Sequence, residues 1–377
     1  MKISATKNQA GLTLVELMVS LVLSLVLLGG VIQMFVSNKQ GYQLSDELAR
    51  MQESARFASF LLERDLRMAG YTGCSSRDES TMRVKNTLNG STVGFSPTKG
   101  IEGWEAGSTN YGAYSIVANG ATSDASVSGW ATSDGATLAT GTMSVGNSDI
   151  VRVWLTAGSP LLVNNITPGA NTVVDVSINA DFEDDDILIL TDCTKVDIVQ
   201  ACSVGQTSSG GVTSINAILS NGCTPGNDVS ATLLNTKDDS DNKNVHVAKL
   251  IGRIYFIGKR GNTSTNPPAL FRQEIGQNAA AGTAEELVEG VESMQILYGE
   301  DTAADADGEA DRYVDAEDVD DWEKVVSVRI EMLMQSSRVD LVDGEQKFNF
   351  NGTTVTSTDG RLRYPFVSTI ALRNRTE

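Results

Sequence analysis

GLTLVELMVSLVLSLVLLGGVIQMFV, residues 11–36, is the stretch on which the architecture turns. From Leu12 to Val36 it carries one charge, Glu16, in 25 residues. As a helix rising about 1.5 Å per residue it reaches roughly 37 Å, more than the ~30 Å hydrocarbon core of a bilayer. Lys2 and Lys7 precede it without any acid, so the N-terminus is expected in the cytoplasm and the chain beyond residue 36 outside it. A secretory signal peptide fits poorly. Its apolar run is shorter and ends at a small-x-small site, whereas Gln33-Met34-Phe35-Val36-Ser37 offers none. An ordinary membrane anchor leaves Glu16 without a purpose, because a carboxylate in hydrocarbon is costly and is usually functional.

Gly11-Leu12-Thr13-Leu14-Val15-Glu16-Leu17 resembles the class III signal of type IV pilins and type II secretion pseudopilins. That signal is a short basic leader, a glycine, and an apolar run with glutamate as its fifth residue. The resemblance implies that a prepilin peptidase cuts after Gly11 and methylates the new N-terminus, Leu12. Most members have phenylalanine there, so Leu12 is a departure. The chemistry also stands by itself. A cut after Gly11 creates an α-amine four residues before Glu16, and in a packed array Glu16 reaches the amine of a neighbouring Leu12. Low dielectric strengthens that attraction, while an unpaired Glu16 bears its desolvation alone. The pair would set the axial register between helices; the competing reading of Glu16 is a tolerated polar residue near the helix start.

Beyond the apolar run, Leu44, Leu48, Met51, Ala55, Ala58, Leu62, Leu66 and Ala69 recur at spacings of 3 and 4, and the first proline is Pro97. An amphipathic stripe follows, so residues 12–69 are expected as one helix ended by Gly70. Gly29-Gly30 and Gly41 mark either a loosened segment or close helix packing. From Tyr71 the pattern changes to short alternating runs. Residues 249–257, KLIGRIYFI, pair with Ala269-Leu270-Phe271-Arg272 as a hairpin. Val326, Val328, Ile330, Met332 and Met334 form the inward row of a strand packed on the helix, and residues 364–372 are the closing strand. Residues 86–230, rich in Gly, Ala, Ser and Thr, read as inserted β structure, with residues 150–155 and 187–190 as its buried strands.

Residues 287–299, 320–330, 64–74 and 372–375 are similar to segments of the PilW-type minor pilins, a likeness that does not reach residues 86–230. The resemblance implies an α+β type IV pilin fold: a long N-terminal helix packed on an antiparallel sheet head, here with a large β-rich insertion. The expected organisation is a leader at 1–11, a helix at 12–69 with its membrane segment at 12–36, and an exported head at 70–377.

Cys74, Cys193, Cys202 and Cys223 all follow the membrane segment. An exported chain favours disulfides, and no Cys-x-x-Cys suggests zinc. Three pairings exist; Cys74–Cys193 with Cys202–Cys223 is the expected one, the second closing a loop worth about 3 kcal/mol in the chain-entropy model.

The whole chain has 377 residues and a formal charge of −19. Residues 300–323 hold twelve acids against Arg312 alone, a net −11. Within them Asp301, Asp305, Asp307 and Asp311 surround the turn glycine Gly308. Calcium takes about 6–8 oxygen ligands, so Ca2+ is the one candidate cofactor, and a solvated acidic loop is the competing reading. The spacing is not an EF-hand, since the first ligand position would fall on Ala303 and the last on Val314.

The acidity argues against a nucleic-acid partner. A single histidine, His246, reads as a packed strand residue, and Gly252…Gly258-Lys259 misses P-loop spacing by one residue. No enzyme is expected. The resemblance implies a structural subunit of inner membrane and pilus. Its partners would be other minor pilins, the major pilin, the prepilin peptidase, the assembly platform and a tip adhesin. A type II secretion pseudopilin, or an adhesin using the inserted region, are the alternatives.

Overall fold

The computed structural model describes residues 13–73, 83–89, 99–106, 111–112, 142–145, 147–169, 171–177, 181–209, 212–228, 230, 232–235, 244–261, 266–276, 282–302 and 307–376. The chain divides into two compact units, Met1–Arg50 and Met51–Glu377.

The first unit is the N-terminal part of helix α1 (Leu14–Leu66, 53 residues). Thr13 caps it, accepting from Glu16 N on its hydroxyl at 3.3 Å, which satisfies one of the orphan donors of the first turn. Every large apolar side chain described from Leu14 to Val36 is exposed, so this part is apolar on all sides. The helix continues through Gly29, Gly30 and Gly41, and nothing lies within 4 Å of where a Cβ would stand on any of them. Leu12 lies outside the described residues.

In the second unit α1 ends at Leu66, three residues before the expected Ala69. Met68 N donates to Asp65 O and Ala69 N to Leu66 O, both at 3.0 Å, tightening the last turn to 3-10 type. Gly70, at φ 73°, then gives its N–H to Trp154 O at 2.9 Å. The sheet takes the donor that would have continued the helix. Met51, Ala55, Ala58, Leu62, Leu66 and Ala69 are all buried. Leu44 is exposed and Leu48 only half-buried, so the stripe is engaged from Met51 onward.

Among the described residues twelve strands form one sheet: β1 (Arg83–Asn86), β2 (Ile101–Trp104), β3 (Thr142–Ser144), β4 (Ile150–Thr167), β5 (Thr172–Ser177), β6 (Asp186–Thr191), β7 (Lys195–Ala201), β8 (Ser203–Ser209), β9 (Val212–Leu219), β10 (His246–Arg260), β11 (Pro268–Ile275) and β12 (Glu285–Glu289). Its main path is β1-β7-β6-β10-β4-β5-β9-β8, with β11 and β3 on β10, β12 on β11 and β2 on β4. Four more strands, β13 (Val291–Glu300), β14 (Arg312–Val314), β15 (Val325–Gln335) and, after the hairpin of β16 (Gln346–Phe350) and β17 (Thr353–Ser357), β18 (Arg363–Ala371), form a second sheet in the order β14-β13-β15-β18. A short helix, α2 (Arg373–Thr376), follows.

β10 and β11 make the expected hairpin, with Phe256 opposite Phe271. Along β10, Ile251, Tyr255 and Ile257 face the core that holds α1, while Leu250, Ile254 and Phe256 face a second cluster with Trp154 and Phe271. Both faces of the strand are covered, which is why its sequence reads as a nearly continuous apolar run. The inward row of β15 differs from expectation. Val325, Val328, Ile330, Met332 and Met334 join the helix core, and Val326 does not. The ladder shifts between Gly299↔Ser327 and Glu300↔Val325, a bulge that takes Val326 out of phase.

The described strands within residues 86–230 are built into the head. β4 runs antiparallel to β10 from Val151↔Tyr255 to Leu162↔His246. Ile101, Val145, Val151, Val153 and Leu155 lie in the same core as α1, β13 and β15. A third cluster, including Val163, Val174, Leu188 and Val199, closes the outer meander of β4, β5 and β9.

Candidate functional site

Of the residues marked by the sequence, Glu16 is exposed in the first turn of α1, while Gly11 and Leu12 lie outside the described residues. The two serines of the apolar run return their hydroxyls to their own helix, Ser20 to Leu17 O at 2.9 Å and Ser24 to Ser20 O at 2.7 Å. No free donor from these serines faces hydrocarbon. Glu16 is the one charge the segment presents. In the second unit, Phe57 and Phe60 stay exposed, at 51% and 60%, on the side of α1 away from the core.

The end of α1 is anchored by a residue the sequence did not single out. Asp65 is 3% exposed. Its Oδ2 accepts from Arg253 Nη1 at 2.8 Å and from the Tyr255 hydroxyl. Burial first, then the Asp65 charge, hold the Tyr255 hydroxyl well above its ordinary value. The available signal was positional: Asp65 stands three residues after Leu62, on the apolar arc itself.

Cys202 and Cys223 form a disulfide with Cα atoms 5.2 Å apart, clamping the base of the β8–β9 hairpin. Cys193 is also disulfide-bonded. Its expected partner, Cys74, lies outside the described residues. His246 is a half-buried residue of β10.

Three aspartates of the acidic stretch accept from backbone donors. Asp301 Oδ2 accepts from Gly308 N at 2.9 Å, Asp307 Oδ1 from Glu309 N at 2.9 Å, and Asp311 Oδ2 from Thr302 N at 2.7 Å. Asp305 lies outside the described residues. Among the described residues no three carboxylates are grouped as metal ligands, so the structure does not bring Asp301, Asp307 and Asp311 together as a Ca2+ site. The organising residue is Glu300, fully buried, which sequence reading passed over as one acid among twelve. Its Oε2 accepts from Arg312 Nη2 at 2.8 Å and Nε at 3.0 Å, and its Oε1 accepts from Asp320 N at 3.0 Å and Asp321 N at 3.2 Å.

The first unit is an apolar helical segment of membrane length with a lone carboxylate in its first turn; within the second unit the end of α1 is held to β10 through the buried Asp65. Residues 254–374 match the family model of type IV pilus-assembly protein W, and residues 6–32 match the prokaryotic N-terminal methylation motif. No curated protein and no solved structure matches the chain.

Proposed function

We propose, from the premise that this chain is a PilW-like type IV pilin anchored in the inner membrane before pilus assembly, that it serves as a non-catalytic minor pilin. One observation supports this most: α1 is exposed and apolar on all sides through the segment that continues the methylation motif. Such a surface needs lipid before assembly and other helices after it. In this reading the prepilin peptidase cuts after Gly11 and methylates Leu12, and Glu16 pairs with the Leu12 amine of a neighbouring subunit. Phe57 and Phe60 extend the contact beyond the membrane. The chain then joins other minor pilins to prime or cap a filament used in twitching motility and adhesion. A type II secretion pseudopilin would share the N-terminus, and the match over residues 254–374 favours the pilus.

The test is mass spectrometry of the N-terminus of protein taken from membranes and from sheared filaments. Methylated Leu12 is expected in both fractions. An intact leader, or cleavage beyond Val36, overturns the reading.

A further inference from the structure

β18 ends the second sheet, and among the described residues β15 is its one ladder partner. In an antiparallel strand the N–H and C=O of a residue point to the same side, and that side alternates along the chain. Three observations fix the sides in β18. Leu372 N donates to Val326 O at 2.8 Å, so even-numbered residues face β15. Arg363 turns both backbone groups the other way: its N–H donates to Gln346 Oε1 at 3.0 Å, and its C=O accepts from Gln346 Nε2 at 2.9 Å. Pro365, opposite Leu333, has no N–H to give to β15. Val367, Thr369 and Ala371 therefore present their N–H and C=O groups outward. All three are exposed, Val367 at 54%.

An open row of donors and acceptors is a template for pairing, and proteins blunt it with charge, proline or brevity. Other margins of the two sheets follow that rule. β1 carries Arg83 and Lys85, β12 carries Glu285, Glu286 and Glu289, and β14 has three residues. On β8 the Val204 N–H is taken by Asp184 Oδ1 at 2.7 Å. β18 is guarded at its start by Gln346 and Pro365, but from Phe366 to Ala371 it carries no charge.

The Gln346 amide shows what this row accepts. It meets the N–H and C=O of Arg363 with an acceptor and a donor, as a backbone peptide group would. An extended strand supplies the same pair of groups at each outward residue that follows. The two faces set its side chains. On the α1 side, Tyr364 and Phe366 pack at the margin of the core and are half-buried; on the other side Val367 stands exposed. A fitting strand places apolar side chains beside both. A second copy of this chain would meet β18 with β18 about a two-fold, an isologous contact that closes on itself, whereas filaments grow through heterologous contacts.

We propose that residues 365–371 form a docking edge that takes an extended strand of a different pilin subunit, added to the sheet beside β18. This rests on the reading of the chain as a pilus subunit and adds to it the surface and the form of the partner.

The test is photo-cross-linking in cells that make the filament, with p-benzoylphenylalanine in place of Val367 and, as a control, of the exposed Glu289 on β12. Sheared filaments are checked for the chain, and cross-linked peptides are sequenced. Position 367, and not 289, should join one segment of another pilin subunit. Thr369→Pro removes an outward N–H and spares the ladder to β15, so it should lose the cross-link and keep the unfolding midpoint. Amide exchange of the full chain in micelles needs no variant: Val367, Thr369 and Ala371 should exchange freely while Ser368 and Ile370 are protected. Protection of all five overturns the proposal, since the chain itself would then cover the edge. A cross-link to a second copy, a cross-link that survives Thr369→Pro, or none in filaments that hold the chain overturns the docking edge and leaves the pilin reading standing. Filaments without the chain overturn both.

Discussion

Asp65 interrupts the buried arc of α1 with a carboxylate, and its partners show why the arc tolerates it. Arg253 and Tyr255 both turn toward it from β10. Removing one member of a buried ionic pair costs more than the pair contributes, because the survivor stays buried without its counter-charge. Asp65→Ala should therefore lose about 3–5 kcal/mol, whereas Tyr255→Phe, which removes one donor and no charge, should lose about 1 kcal/mol. Denaturant unfolding of the full chain in micelles measures both. Equal small losses would mean that the junction rests on apolar packing alone. At this scale the sequence is legible where contrast is local. Glu16 is conspicuous as one charge among 25 residues. Asp65 and Asp149 are not, because Arg253 lies 188 residues from the first and Ile296 lies 147 from the second. No local pattern announces a partner at that distance.

Among the elements, periodicity was the reliable guide. The stripe of α1 from Met51 and the β10–β11 hairpin lie where spacing put them, because each buries a face that the sequence itself repeats. The inward row of β15 was displaced at Val326, the extra residue where the ladder shifts from Gly299↔Ser327 to Glu300↔Val325, and a bulge of this kind leaves no mark in the apolar alternation. The acidic stretch shows the limit of composition. Its charge suggested either a cation site or a solvated loop. Among its described residues the fold uses Asp301, Asp307 and Asp311 as acceptors for backbone donors and buries Glu300 completely at the centre. Glu300→Ala deprives the amides of Asp320 and Asp321 of their acceptor and leaves Arg312 with Asp320 alone. A loss of about 1–3 kcal/mol follows from unmade hydrogen bonds, read as roughly ten- to hundredfold faster exchange at Asp320 and Asp321, with amides of α1 unaffected. Unchanged exchange would show that the turns of residues 307–324 hold without it.

For the head as a whole, residues 86–230 were the least legible part, since low-complexity Gly, Ser and Thr segments hide the strands between them. Their composition suggested an insertion, and an insertion invites the expectation that it can be cut out. The packing argues the opposite. β4 supplies the long antiparallel neighbour of β10, and Ile101, Val145, Val151, Val153 and Leu155 line the core shared with α1 and β15. Deleting a single buried aliphatic side chain costs about 2–5 kcal/mol, and a whole domain is stable by only about 5–15 kcal/mol. Losing five such side chains, about 10–25 kcal/mol, together with the ladder along β10 is enough to consume that margin. A chain lacking residues 86–230, its ends rejoined by a flexible linker, should therefore fail to give a cooperative unfolding transition and should be degraded in cells. Removing only residues 203–219, the β8–β9 hairpin, takes Ala217 and Leu219 from the outer cluster and leaves the α1 core intact. That variant should keep a cooperative transition at a lower midpoint. Circular dichroism melts of the two variants beside the parent decide the matter: a cooperative melt of the larger deletion would make residues 86–230 dispensable to the fold.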